Sequence, residues 1–202
     1  MEFNLLPIRP EQFVVSQWSG GKTTQLAISP KDAVYADREF LWRLSSATVE
    51  LEESDFTPLP DYNRLISVLD GEMRLDHGGA EQIHLQPYTV YSFDGGVPTH
   101  SEGRCVDFNL MLRKDRCCGS LQALCAQQPG SMSLTPVVQS PVNYPNCTLA
   151  IFCGSGGATV SVGERSAVLK AQEMALLEYV NNQPVDLAWT AESRLMLAQI
   201  HF

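Results

Sequence analysis

Arg43 and Ser45, in Trp42-Arg43-Leu44-Ser45, and Asp107 and Asn109, in Val106-Asp107-Phe108-Asn109-Leu110-Met111, are polar residues written into segments that otherwise read as apolar strands. Side chains along a strand alternate between its faces, so Arg43 shares a face with Ser45 and Asp107 with Asn109, while Trp42, Leu44, Phe108 and Leu110 take the other. A buried charge or amide costs free energy unless it is paired, so these residues either line a polar pocket or sit on a wet face. If they converge with Arg64, and with Trp18 and Thr23 at the rim, the chemistry is recognition of a small carboxylate or other anion. Arg43 or Arg64 would hold a carboxylate bidentately, and Asn109 with Ser45 or Thr23 would add directional hydrogen bonds. Asp107 would orient an arginine or read an amide or ammonium group, and Trp18 and Trp42 would supply apolar walls. The competing reading is an Arg–Asp network that satisfies buried groups and binds nothing.

Other motifs lead away from catalysis. Gly20-Gly21-Lys22-Thr23 resembles the end of a phosphate-binding loop, but the spacing requires glycine where Ser16 stands. Gln25-Leu26-Ala27-Ile28 then reads as a strand ending at Ser29-Pro30, so no helix N-terminus is offered to a phosphate and nucleotide binding is rejected. The turn is either a plain hairpin or a cover that brings Lys22 over a small anion. Cys105 has the parity of Asp107, yet a neighbouring carboxylate raises a thiol's pKa and no histidine is placed as its base, so it reads as packing. There is no Gly-x-Ser-x-Gly elbow and no ordered triad, and no catalytic residue is assigned.

Something must position these residues, and the chain has length for it. Its 202 residues suffice for one large or two small domains. A net charge of -9, from 14 Lys and Arg against 23 Asp and Glu, with no basic run, argues against nucleic acid. No window approaches a membrane span, and the start Met1-Glu2-Phe3-Asn4-Leu5-Leu6-Pro7 lacks the basic and apolar regions of a secretory signal, so the expectation is a soluble, cytoplasmic protein. The six cysteines form no Cys-x-x-Cys pair and suit reduced packing residues. Short stretches rich in β-formers at 13–15, 25–28, 41–49, 64–69, 89–93 and 106–112 are punctuated by turn signals such as Asp70-Gly71, Gly78-Gly79 and Asp94-Gly95-Gly96. The best helix candidate, 120–128, is short and ambiguous. The fold class is therefore all-β, a sandwich or barrel.

An internal repeat sharpens that expectation. The stretch 64–71, RLISVLDG, resembles 147–154, CTLAIFCG, at an offset of 83, and 85–93 resembles 169–177 at an offset of 84. Near-equal offsets imply one structural unit used twice. The halves are placed at 1–128, carrying the pocket, and 147–202, joined by a Pro-rich connector at 129–146 that runs along the outside.

Strand, Gly turn, strand, then Leu-x-Pro and a strand is the cadence of a cupin half-barrel. The chain resembles the HutD/Ves family, bacterial bicupins often associated with histidine utilisation. The resemblance rests on Trp18-Ser-Gly-Gly-Lys-Thr23, Trp42-Arg43-Leu44-Ser45, Phe56-Thr57 leading to Arg64, Phe93-Asp94-Gly95 and Asp107-Phe108-Asn109-Leu110-Met111, in family order. It covers the first hundred-odd residues, and the second half matches in cadence only. Two departures lie near the expected pocket mouth: a shorter turn after Trp18, and Asp61-Tyr62-Asn63 in place of a Gly-containing approach to Arg64. The resemblance implies two tandem cupin-like antiparallel β-barrels with little helix.

Many cupins hold a metal through His-x-His, a following Glu and a later His. Here His77, His84, His100 and His201 form no His-x-His pair, and Ser155-Gly156-Gly157-Ala158-Thr159 in the second half offers no ligand, so a metal-free barrel without cofactor is expected. Three function classes stay open. The first is a regulatory binder of a small carboxylate such as formate, formylglutamate or urocanate, as the family's genetic context implies. The second is a metal-independent isomerase or hydrolase of a small acid using Asp107 or a histidine for proton transfer. The third is a packed interaction scaffold. Residual sheet edges would pair two chains as a homodimer.

Overall fold

The computed structural model describes residues 4–79, 82–135, 144–178 and 183–202. Its described residues are organised as antiparallel β-sheet, and their helical content is two three-residue 3-10 turns, Pro10–Gln12 and Tyr35–Asp37. No helix among them is long and apolar enough to cross a membrane.

One compact unit is Phe13–Arg116. Its six-stranded sheet runs in the order Val14–Trp18, Gly21–Ser29, Trp42–Val49, Cys105–Arg113, Tyr62–Gly71 and Val90–Asp94. A four-stranded sheet has the order Glu53–Asp55, His100–Glu102, Met73–Asp76 and Gln82–Leu85. Val49, Ile66, Val68, Met73, Leu75, Leu85 and Cys105 from the two sheets form a buried apolar cluster. Phe40 stacks on Tyr62 with ring centroids 4.3 Å apart. The Tyr62 hydroxyl lies 2.9 Å and 2.8 Å from the carbonyl oxygens of Arg38 and Phe40. Those contacts pin the connection that carries Tyr35 against the sheet.

The other unit comprises Cys117–Phe202 with the first twelve residues. Its five-stranded sheet has the order Asn4–Ile8, Met174–Glu178, Cys147–Ser155, Ser193–His201 and Cys118–Ala126, and its four-stranded sheet the order Gly130–Leu134, Val185–Trp189, Gly157–Val162 and Arg165–Lys170. Leu149, Ile151, Val160, Leu169, Leu177, Leu187 and Leu195 are among the side chains that fill its interior.

The limits of these units differ from the expected 1–128 and 147–202. Cys118–Ala126 pairs along its whole length with Ser193–His201, and Asn4–Ile8 pairs with Met174–Glu178, so both belong to the second unit. Of the ambiguous helical stretch at 120–128, residues 120–126 belong to that first strand, because its nine cross-strand pairings outweigh a weak local preference. In the expected connector, Gly130–Leu134 is a strand paired with Val185–Trp189, while 136–143 falls outside the described residues.

The repeat reappears in register. In the first unit Met111 lies opposite Arg43 on one side and Arg64 on the other, and Asn109 lies opposite Ser45 and Ile66. In the second, His201 lies opposite Cys118 and Cys147, and Gln199 opposite Ser120 and Leu149. The same three-strand scaffold thus carries arginines in one unit and cysteines in the other.

Candidate functional site

All seven residues singled out in the sequence, Trp18, Thr23, Arg43, Ser45, Arg64, Asp107 and Asn109, line one cavity of about 270 Å³ in the first unit. The cause is parity combined with register. Residues 43 and 45, 64, and 107 and 109 fall on one face of three adjacent strands, and pairing sets Asn109 beside Ser45 and Asp107 beside Val68. A bulge between Val106 and Asp107 shifts the pairing with Tyr62–Gly71 by one residue. Gly71 accommodates it with φ +78°, where a Cβ would collide with the Arg104 carbonyl. Trp42 is not a wall of this cavity: it is buried, has the opposite parity to Arg43 and Ser45, and is absent from the lining. Lys22 is exposed and lies outside the lining, so the glycine turn brings Trp18 and Thr23 to the cavity and leaves the lysine in solvent.

The polar floor is deeply buried: Arg43 is 4% exposed, Arg64 6%, Asp107 5% and Asn109 4%. Arg43 donates from Nε to Gln25 Oε1 (2.9 Å) and from Nη1 to Ser45 Oγ (3.1 Å), and its guanidinium carbon lies 4.1 Å from the Tyr35 ring centroid. Arg64 lies 4.5 Å from the Phe56 centroid and 5.4 Å from that of Phe93. Its Nε has no hydrogen-bond partner among the described residues. The stem of Arg64 passes Gly95, where a Cβ would come within 3.2 Å of Arg64 Cγ and closer still to two backbone carbonyls. Asp107 Oδ1 accepts the Ala47 N–H (2.8 Å), and Ser46 Oγ donates to the Asp107 carbonyl (2.6 Å). Asn109 Oδ1 is buried without a partner among the described residues. No ion pair joins Asp107 to either arginine among the described residues.

Burial governs the electrostatics. It pulls Arg64 down to about 10, with Asp107 opposing, and lowers Arg43 as well. It lifts Asp107 to about 6 against the Ala47 N–H and the two arginines. At neutral pH two guanidinium cations therefore face one carboxylate, and rings shield parts of both cations. Such a floor attracts an anion, and the free edge of each guanidinium fits a carboxylate.

The aromatic supports Tyr35 and Phe56, and the Gln25 contact to Arg43, escaped the sequence reading. Phe56-Thr57 had a signal in its place ahead of Arg64, whereas Tyr35 sits on a short 3-10 turn with none. The histidines have separate partners: His77 Nδ1 with Thr99 Oγ1 (3.0 Å), His84 with Glu72 (3.0 Å), and His100 with Asp55 (2.8 Å). No group of three His, Cys, Asp or Glu among the described residues is arranged to hold a metal. Burial, with Asp107 adding to it, pushes the Cys105 thiol up to about 12. Alkylation by iodoacetamide at pH 8 is therefore expected to label exposed Cys125 and spare Cys105. Peptide mapping that finds Cys105 modified first would contradict this.

A sequence profile of the HutD family matches residues 11–197. Protein Ves of Cronobacter sakazakii is 34% identical over 110 residues, which is 51% of this chain and 58% of that protein, so the match spans little more than half of that relative. Among solved structures, a conserved protein of unknown function from Pseudomonas aeruginosa PAO1 superposes with a TM-score of 0.80 at 26% identity, covering 98% of each chain. HutD from Pseudomonas fluorescens SBW25 gives a TM-score of 0.69 at 24% identity over 96% of this chain and 98% of its own. The Escherichia coli pirin YhhW, solved with nickel(II), gives 0.70 at 11% identity over 97% and 98%, a likeness of fold alone.

Proposed function

The chain belongs to the HutD family, and from the cavity of its first unit we propose that it binds a small carboxylate without a metal and acts in regulation, in histidine utilisation or related metabolism. The observation that carries this reading is Arg64: a cation held among aromatic rings in the floor of a cavity, with no ion partner among the described residues. A protein that only needed a core would do as well with an apolar side chain there. A volume of about 270 Å³ suits a ligand of a few carbon atoms. The HutD structure from P. fluorescens was obtained in a formate condition, which accords with a small acid. Six free cysteines accord with a reducing, cytoplasmic compartment.

One observation favours a second reading. A buried Asp107 lifted to about 6 is poised to exchange a proton near neutral pH, as a general base in a metal-independent isomerase or hydrolase would. Binding and turnover separate the two. Thermal unfolding in the presence of formate, acetate, succinate and succinamate is expected to rise saturably for at least one acid, with that acid recovered unchanged by proton NMR. Conversion of the acid would favour the enzyme, and no stabilisation by any of them would overturn the binding reading. Arg43→Lys is expected to weaken binding by about tenfold, because an ammonium cannot serve Gln25, Ser45 and a ligand oxygen from one planar fork. Elemental analysis of protein purified without chelator is expected to find no stoichiometric metal.

A further inference from the structure

We propose that Asp107 determines which acids the cavity accepts: it limits the buried head of the ligand to a single negative charge and requires a neutral hydrogen-bond donor beside that charge. The inference rests on the carboxylate-binding reading and adds the ligand's charge and its second functional group.

Register brings the charges together: Arg43, Arg64 and Asp107 stand on one face of three adjacent strands, with Asp107 four residues along its strand from Met111, which holds the row of both arginines. Their charges sum to one positive at neutral pH, and no direct ion pair among the described residues cancels any of them. Asp107 is also anchored. Its Oδ1 receives the Ala47 N–H and its backbone carbonyl receives the Ser46 hydroxyl, so the carboxylate stays where it is when a ligand arrives. A first ligand carboxylate on the arginines neutralises the floor. A second anionic group would then meet Asp107 in the buried floor of the cavity, where like charges are screened less than at the surface and repel strongly.

Asn109 supplies the other half. Its Oδ1 is a buried acceptor that no donor among the described residues reaches, and it projects from the same strand face as Asp107. Two acceptors side by side call for a ligand N–H or O–H, since an unpaired buried carbonyl is costly. The other charged or titratable groups around Asp107 do not alter the count. Cys105, on the same strand, stays a neutral thiol, and Tyr35 meets Arg43 with the face of its ring. Arg38 stacks on Tyr35, donates to its carbonyl and is not part of the cavity lining, while Asp55 at the rim is exposed and engaged with His100. The lifted affinity of Asp107 for a proton agrees with a carboxylate already strained by burial, which a second anion would strain further.

Succinamate and succinate test the proposal, because they differ as Asn differs from Asp: an amide replaces a carboxylate of the same shape. At pH 7.5, calorimetric titration of the wild type is expected to favour succinamate by about tenfold or more, the scale of a buried like-charge contact. Asp107→Asn is expected to remove or invert that preference. Asn keeps an acceptor for the Ala47 N–H, and thermal unfolding establishes that the variant is folded. An equal ratio in wild type and variant, with both acids bound, would overturn the role of Asp107 and leave the carboxylate site standing. Failure of both acids to bind either protein would overturn the site and this inference together. A readout in the wild type alone covers a variant that does not fold: with aspartate carboxyls labelled with carbon-13, succinate is expected to raise the Asp107 titration midpoint more than succinamate does, and equal midpoints would contradict the proposal.

Discussion

Arg64→Met is expected to stabilise the folded chain while abolishing its affinity for small acids. Arg64 is buried without an ion partner among the described residues, and burial, against the opposing pull of Asp107, brings its pKa down to about 10. A methionine keeps the contact with Phe56 and Phe93 without the desolvation cost. The gain should be about 1–3 kcal/mol at pH 5, the range seen when buried charges are exchanged for packed apolar groups. It should shrink at pH 7.5, because the variant leaves an ionised Asp107 with one fewer cation nearby. Urea unfolding of ligand-free protein at the two pH values measures this. A loss of more than about 2 kcal/mol at pH 5 would mean that Arg64 is there for the fold. Stability traded for an unpartnered cation is the pattern of a binding site, where function sets the residue and the rest of the domain offsets the cost.

Asp107 should leave a second thermodynamic mark, in the pH dependence of folding. Its pKa rises from 3.8 to about 6 in the folded chain, chiefly through burial. Between those values the folded state holds a proton that the unfolded state has released. Stability from this group is therefore present at low pH, falls as pH rises through the window, and is lost in full above it. The amount is about 2–3 kcal/mol, from about two pKa units. Asp107→Asn removes the dependence, so the variant should gain on the wild type by that amount between about pH 4 and pH 7.5. Parallel stability curves for the two proteins would show that Asp107 is not strained in the folded state.

How much of this could be read along the chain depended on distance. The alternation at 42–45 and 106–111 placed Arg43 with Ser45 and Asp107 with Asn109, and the cavity has them so. The all-β class was legible from short β-rich runs and frequent turns, and the duplication from near-equal offsets. The ambiguous stretch at 120–128 was not, because its pairing partner lies some seventy residues away in Ser193–His201. Asn4–Ile8 gave no sign that it completes a sheet begun by Met174–Glu178. Tyr35 was silent for a related reason: its place over Arg43 comes from the Phe40–Tyr62 stack, a contact between separate segments.

What the sequence by itself determined is which side chains share a face within a strand, since a period of two follows from backbone geometry and needs no partner. It also indicated that two units share one plan, through the near-equal offsets of 83 and 84 between corresponding stretches. Only the tertiary structure decided that Arg43, Met111 and Arg64 form one row, that Asp107 pairs with neither arginine, and that the second unit fills the same row with Cys118, His201 and Cys147. Those facts depend on which strands abut and in what register. Register is set by the burial of whole faces across segments far apart in the chain, which no local stretch of sequence encodes.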